Sequence, residues 1–102
     1  MSAAASLRSG DFATGEPRSV VAGDTPVLVV RHGHGLHAIH DRCSHRGCLL
    51  SDGKIDGEVV ECACHGSRFR LRDGAVERGP ATAPQPAFDT RQNDGRLELR
   101  RR

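Results

Sequence analysis

The sequence has no tryptophan and no tyrosine, and its aromatic side chains are Phe12, Phe69 and Phe88 alone. Mean hydropathy is negative, and a domain of this size buries only about two-thirds of the surface its unfolded chain exposes. The core is therefore thin, and something besides aromatic packing is expected to help hold 102 residues together. Long apolar runs are also missing. Nothing approaches the roughly 18 consecutive apolar residues that span a bilayer, and the N-terminal stretch has neither a twin-arginine pair nor an apolar run of signal-peptide length. The sequence reads as a soluble, cytoplasmic chain. An excess of one charge is missing too, since 15 Lys and Arg against 13 Asp and Glu leave +2, most of it in Arg100, Arg101 and Arg102. A nucleic-acid surface calls for a basic stripe with stacking aromatics, so that class is excluded. No window keeps a helical period, and there is no internal repeat.

Short strands and turns fill the space. Val20 and Val21, a Gly23-Asp24 turn and the apolar run PVLVVR (26–31) read as two antiparallel strands. GLHAIH (35–40) alternates and pairs back through a turn near residues 32–35. DGKIDGEVVEC contains two strands joined at Asp56-Gly57, a strong hairpin signal. FRLRDGAVER repeats the device with Asp73-Gly74. GPATAPQP (79–86) has three prolines and fits neither a helix interior nor a central strand. AFDTRQNDGRLELR closes as strand, turn and strand, and the first dozen residues look loose. The expected fold is one all-β domain over 1–102, with a base from about 13–40 and 81–100 and an inserted segment at about 41–80.

That segment holds all four cysteines, in CSHRGCLL (43–50) and CACHGSRF (62–69). Two structural disulfides would account for the cysteines but not for the histidines beside them. A zinc site of Cys43, His45, Cys62 and His65 suits the donor chemistry, although zinc fingers and ribbons usually pair like with like. Here each loop offers one Cys and one His, as C-x-H and C-x-x-H with sixteen residues between His45 and Cys62. The mixed pattern fits a two-iron cluster, with Cys43 and Cys62 on one iron and His45 and His65 on the other.

These residues resemble the Rieske-type 2Fe-2S proteins, whose signature is C-x-H followed, roughly sixteen residues later, by C-x-x-H. The resemblance runs from about Pro26 to Leu99, and GPATAPQPAF is similar to the family's proline-rich loop over the cluster. It implies an antiparallel β-sandwich base carrying a cluster-binding subdomain, one 2Fe-2S cluster per chain, and Cys43, His45, Cys62 and His65 as ligands. Replacing two thiolates by imidazoles makes the site less negative, so such centres span about −150 to +300 mV rather than lying near −400 mV. The resemblance also implies a Cys48–Cys64 disulfide clamping the loops, as in Rieske proteins of cytochrome bc complexes, although two thiols are the ordinary cytosolic state. Ser67, after Gly66, matches a serine that donates to a bridging sulfide. Phe69 stands where the high-potential branch has a tyrosine, and Pro80 belongs to the cover.

The other histidines, His32, His34, His37 and His40, spread over both faces of a strand pair. A two-histidine iron site with Asp41 is conceivable, but solvated surface residues are the simpler reading. Arg46, Arg68, Arg70 and Arg72 are placed at the edge of the tip, either steering an acidic partner or simply solvated, while Gly47, Gly53, Gly66 and Gly74 mark turns. The expected function is one-electron transfer between a reductase and an oxygenase or other redox enzyme, by a monomer docking at the His45/His65 tip. The chain by itself is then not an enzyme. An electron-transfer subunit or domain of a larger oxidoreductase, of the arsenite, nitrite or quinol-complex type, is the alternative. A zinc-stabilised interaction module is the alternative from another class.

Overall fold

The computed structural model describes residues 2–3, 12–33, 35–44, 47–64, 66–93 and 95–102. Ten strands follow in chain order: β1 (Ser2–Ala3), β2 (Arg18–Ala22), β3 (Thr25–His32), β4 (Gly35–His40), β5 (Lys54–Asp56), β6 (Val59–Glu61), β7 (Arg68–Arg70), β8 (Val76–Arg78), β9 (Ala87–Asn93) and β10 (Arg96–Arg101). They form two antiparallel sheets, as expected of the all-β class. The larger has the order β1-β10-β9-β4-β3-β2, and the smaller is a β5-β6-β7-β8 meander. No helix among the described residues is long and apolar enough to cross a membrane.

The run PVLVVR is continuous rather than alternating because β3 is covered on both faces. Val27 and Val29 enter one core with Phe12, Leu36, Ala38, Phe88, Leu97 and Leu99. All the strand residues of that core lie on one sheet, so the sheet curls around them. Leu28 and Val30 enter the other core, with Ile39, Leu50, Val60, Phe69, Leu71, Ala81, Cys43 and Cys62. Each fully buried large aliphatic or aromatic side chain here contributes about 1.5–3 kcal/mol. β3 thus joins the base to the smaller sheet, and the second core lies directly beneath both cysteine loops.

Two details differ from the sequence reading. The first dozen residues are not uniformly loose, because Ser2–Ala3 pair with Arg100 and Leu99 and the Phe12 side chain is buried. Arg31 Nε donates to Phe12 O at 2.8 Å and holds this segment on the base. The β5-β6 hairpin pairs Asp56 with Val59, so its two-residue turn is Gly57-Glu58, one position beyond the expected centre. Asp56 belongs to the strand, where its carboxylate meets Arg68 at 2.7 Å.

Gly57 and Gly74 both have positive φ, 59° and 76°. A side-chain carbon at Gly57 would enter open space, whereas one at Gly74 would strike the Gln85 carbonyl. Gly57→Ala is expected to cost about 1–2 kcal/mol, the left-handed penalty alone. Gly74→Ala is expected to cost clearly more, because the Gly74 carbonyl also accepts from Gln85 N at 2.9 Å. Chemical denaturation checks this, and equal losses would show that the Gly74–Gln85 contact yields freely.

Candidate metal centre

The two cysteine loops are built alike. In the first, Cys43 N donates to Cys48 O at 2.7 Å and Gly47 N to Cys43 O at 2.8 Å. In the second, Cys62 N donates to Ser67 O at 2.8 Å and Gly66 N to Cys62 O at 3.0 Å. Gly47 and Gly66 share φ 77°, a conformation that suits glycine. Cys43 and Cys62 therefore occupy equivalent positions, and so do Cys48 and Ser67. Cys43 and Cys62 are buried thiols rooted in the second core.

A disulfide joins Cys48 to Cys64, with Cα atoms 6.5 Å apart. It links the loops across a separation of 16 residues, constraining the unfolded chain by about 3 kcal/mol on the entropic model. The two-disulfide reading is thereby corrected, since Cys43 and Cys62 remain thiols. His45, His65, His34 and Arg46 lie outside the described residues.

The proline-rich segment closes over the loops through polar ties that the sequence reading missed. Gln85, 2% exposed, donates from Nε2 to His40 O and Arg42 O, both at 2.7 Å. Its Oε1 accepts from Ser44 N at 2.7 Å. Ser44 Oγ donates to Ala83 O at 2.6 Å, so the residue after Cys43 is held twice. The second loop is tied through Ser67, fully buried, whose Oγ accepts from Ala81 N at 3.0 Å. Pro80, in the same segment, is exposed. Phe69 is fully buried in the same core as both thiols. Gln85 gives little signal in the sequence, being one polar residue between two prolines.

Among the described residues, the candidate iron site at Asp41 does not form. Asp41 is fully buried, and its two oxygens accept from Ser51 N at 2.7 Å and Ser51 Oγ at 2.8 Å. It anchors the 3-10 turn Leu50–Asp52 that follows the first loop. His40 Nδ1 lies 3.3 Å from the Arg42 backbone, and the His32 and His37 rings are 6.3 Å apart. Burial, then the neighbouring His32, lowers the His37 pKa. Arg68 and Arg70 are paired on the smaller sheet, and Arg72 is exposed with its Nε 4.0 Å from Asp73. Arg68 meets Asp56 at 2.7 Å and Glu61 at 3.1 Å, and Arg70 meets Asp73 at 3.3 Å. The Ala75 N–H first, and Arg70 after desolvation, hold the Asp73 pKa low.

Two equivalent loops each root a buried thiol in one core, under a tied cover, and so bring together two of the four protein donors an iron–sulfur cluster takes. The family model for the Rieske [2Fe-2S] domain matches residues 3–89. The chain belongs to the Rieske family. Among curated relatives, the anthranilate 1,2-dioxygenase ferredoxin subunit of Burkholderia cepacia is 38% identical, over 87% of this chain and 82% of its own length. The biphenyl 2,3-dioxygenase ferredoxin component of Rhodococcus jostii is 39% identical, over 78% and 75%. A ferredoxin chain solved in the complex of reduced oxygenase and oxidized ferredoxin of carbazole 1,9a-dioxygenase superposes with a TM-score of 0.90 at 29% identity. That superposition covers 99% of this chain and 95% of the other. This Rieske protein carries a 2Fe-2S cluster and transfers single electrons to and from other redox proteins; it is a carrier and not itself an enzyme. The family match decides against the zinc-stabilised module.

Gln85→Leu removes three buried hydrogen bonds and strands the groups they served. The expected loss is at least about 3 kcal/mol, taking roughly 1–3 kcal/mol for each of the three groups left unmet. Thermal melting checks it, alongside the rate at which the visible cluster absorbance bleaches. An unchanged melt would mean that water replaces the amide without cost.

Proposed function

We propose that this single domain, over 1–102, is the ferredoxin of an oxygenase system, carrying one electron at a time from a reductase to a terminal oxygenase. The observation that carries the reading is the pair of equivalent loops, which brings Cys43 and Cys62 from separate parts of the chain into one core. The dioxygenase ferredoxins among its relatives, and the similar ferredoxin solved in complex with its oxygenase, support the oxygenase as partner. The base at about 13–40 and 81–100 is the support, and the segment at about 41–80 is the cluster-binding part. The protein works as a cytoplasmic monomer.

Cys43 and Cys62 as thiolates and His45 and His65 as imidazoles would hold the cluster. When bound, the cluster supplies a centre that accepts and releases one electron at moderate to high potential. The chain's residues set the conditions for that exchange. Phe69, Leu50 and Val60 exclude water from the thiolate side. Ser67 Oγ accepts from Ala81 N, which leaves its own proton free for a cluster sulfide it would face. Gly66 lets the second loop turn back under Ser67, and the segment containing Pro80 covers the site. The histidine edge is the docking centre. The Cys48–Cys64 bridge, which resembles that of the cytochrome bc type, favours one second reading, a subunit of a larger quinol-type oxidoreductase.

Purified protein is expected to be red-brown with two irons and two acid-labile sulfides per chain. Its reduced EPR average g value should lie below that of four-thiolate clusters. His45→Ala and His65→Ala should each lose the chromophore while His34→Ala keeps it. Equal loss from all three would move the ligand assignment elsewhere.

Phe69→Tyr tests the inner side. A hydrogen bond to a charged acceptor is worth roughly 1.5–3 kcal/mol, and about 59 mV corresponds to about 1.4 kcal/mol for one electron. Because the bond exists in both redox states, only part of it appears in the potential. Protein-film voltammetry should therefore show a rise of a few tens of millivolts for Phe69→Tyr and a similar fall for Ser67→Ala. A potential unmoved by the tyrosine, together with lower stability, would mean its hydroxyl reaches no sulfur.

A further inference from the structure

The disulfide lies beside one of the two buried thiols. The Sγ atoms of Cys48, Cys62 and Cys64 all fall within 4.8 Å of one another. Cys62 is buried, Cys48 is half-buried and Cys64 is exposed, so one side of this group faces solvent. Three thiolates on one soft cation, at metal–sulfur distances of about 2.3 Å, need sulfurs roughly 3.8 Å apart. With Cα atoms 6.5 Å apart, Cys48 and Cys64 reach that spacing by side-chain rotation once the bridge opens. Cys62 is already in place.

We infer that the reduced chain contains a second metal site, a three-thiolate site of Cys48, Cys62 and Cys64 for a soft d10 cation such as Zn2+ or Cd2+. The Cys48–Cys64 disulfide keeps this site closed. Opening it takes a dithiol reductant, which supplies two electrons and two protons. The S–S bond breaks, two thiols form, and the reductant leaves as its own disulfide. The cation then displaces three protons as three thiolates coordinate, and water fills the fourth position. Soft thiolates select such cations, and the exposed Cys64 provides the entry.

The site does not depend on the ligand assignment given above, except through Cys62, which both would use. Sharing Cys62 makes the two metal loads mutually exclusive. The bridge therefore has a second role besides clamping the loops, because it withdraws two soft donors that would otherwise compete for a cluster thiolate. In a cell whose thiols are reduced, the choice between iron–sulfur and a soft cation is then made before the cluster is installed.

The test uses the full chain from iron-limited cells, oxidised or reduced with dithiothreitol and freed of excess thiol, titrated anaerobically with Cd2+. Binding is read by the ultraviolet sulfur-to-cadmium absorbance and by bound metal per chain. Reduction should tighten Cd2+ binding at least tenfold and add the absorbance of two further thiolates. Cys64→Ser and Cys48→Ser should each abolish that gain, and Cys43→Ser should keep it. No gain on reduction of the unmutated chain overturns the proposal without reference to any variant. A gain that survives in Cys64→Ser, or disappears in Cys43→Ser, overturns it by placing the cation elsewhere. The same variants from iron-replete cells keep the two assignments apart. There Cys43→Ser should lose the red-brown chromophore and Cys64→Ser should retain it, and the reverse would displace the cluster ligands whatever cadmium does.

Discussion

Four consecutive side chains of β3, Val27, Leu28, Val29 and Val30, have no exposed surface, and they belong alternately to two different cores. A strand buried on one face could belong to the curled base and leave the smaller sheet to hold itself together. Four strands of three residues each, with few large apolar side chains, would be marginal alone. Burial on both faces turns β3 into a shared wall. The two buried thiols, Cys43 and Cys62, lie on the side of that wall where the smaller sheet packs.

Close to the site, apolar packing gives way to buried polar groups whose partners are accounted for. Gln85, Asp41 and Ser67 are the buried polar residues among those described, and each is hydrogen-bonded to the segment it fastens. Asp41 holds the turn after the first loop, Gln85 holds the backbone from His40 to Ser44, and Ser67 holds the cover. A satisfied buried polar group adds little net stability, but it penalises every arrangement in which its partner has moved. Such ties suit a site that must exchange electrons without reorganising. The disulfide adds a covalent constraint between the same loops.

Surface charge plays a smaller part than the arginine content suggests. Arg68 bridges Asp56 and Glu61 within the smaller sheet, and Arg78 also reaches Glu61 at 3.6 Å. These pairs are partly exposed, where ion pairs are worth about 0–1 kcal/mol each. Their main consequence is that the positive charges of Arg68 and Arg78 are compensated locally within the smaller sheet.

The sequence alone determined whatever depends on near neighbours. Asp-Gly and Asn-Asp-Gly turns, alternation along β4, the prolines at 80, 84 and 86, and the recurrence of Cys with His at ligand spacing are local patterns. Each reflects a backbone preference or donor chemistry that needs no distant contact to be read. The tertiary structure decided what joins distant positions. The pairing of Ser2–Ala3 with β10, the burial of Phe12, the Asp41–Ser51 anchor and the grip of Gln85 on residues some 41 to 45 positions away leave no periodicity behind. A glutamine between prolines looks the same whether its amide faces solvent or a set of buried backbone groups. Only the folded chain, by removing water from around it, makes its hydrogen bonds obligatory.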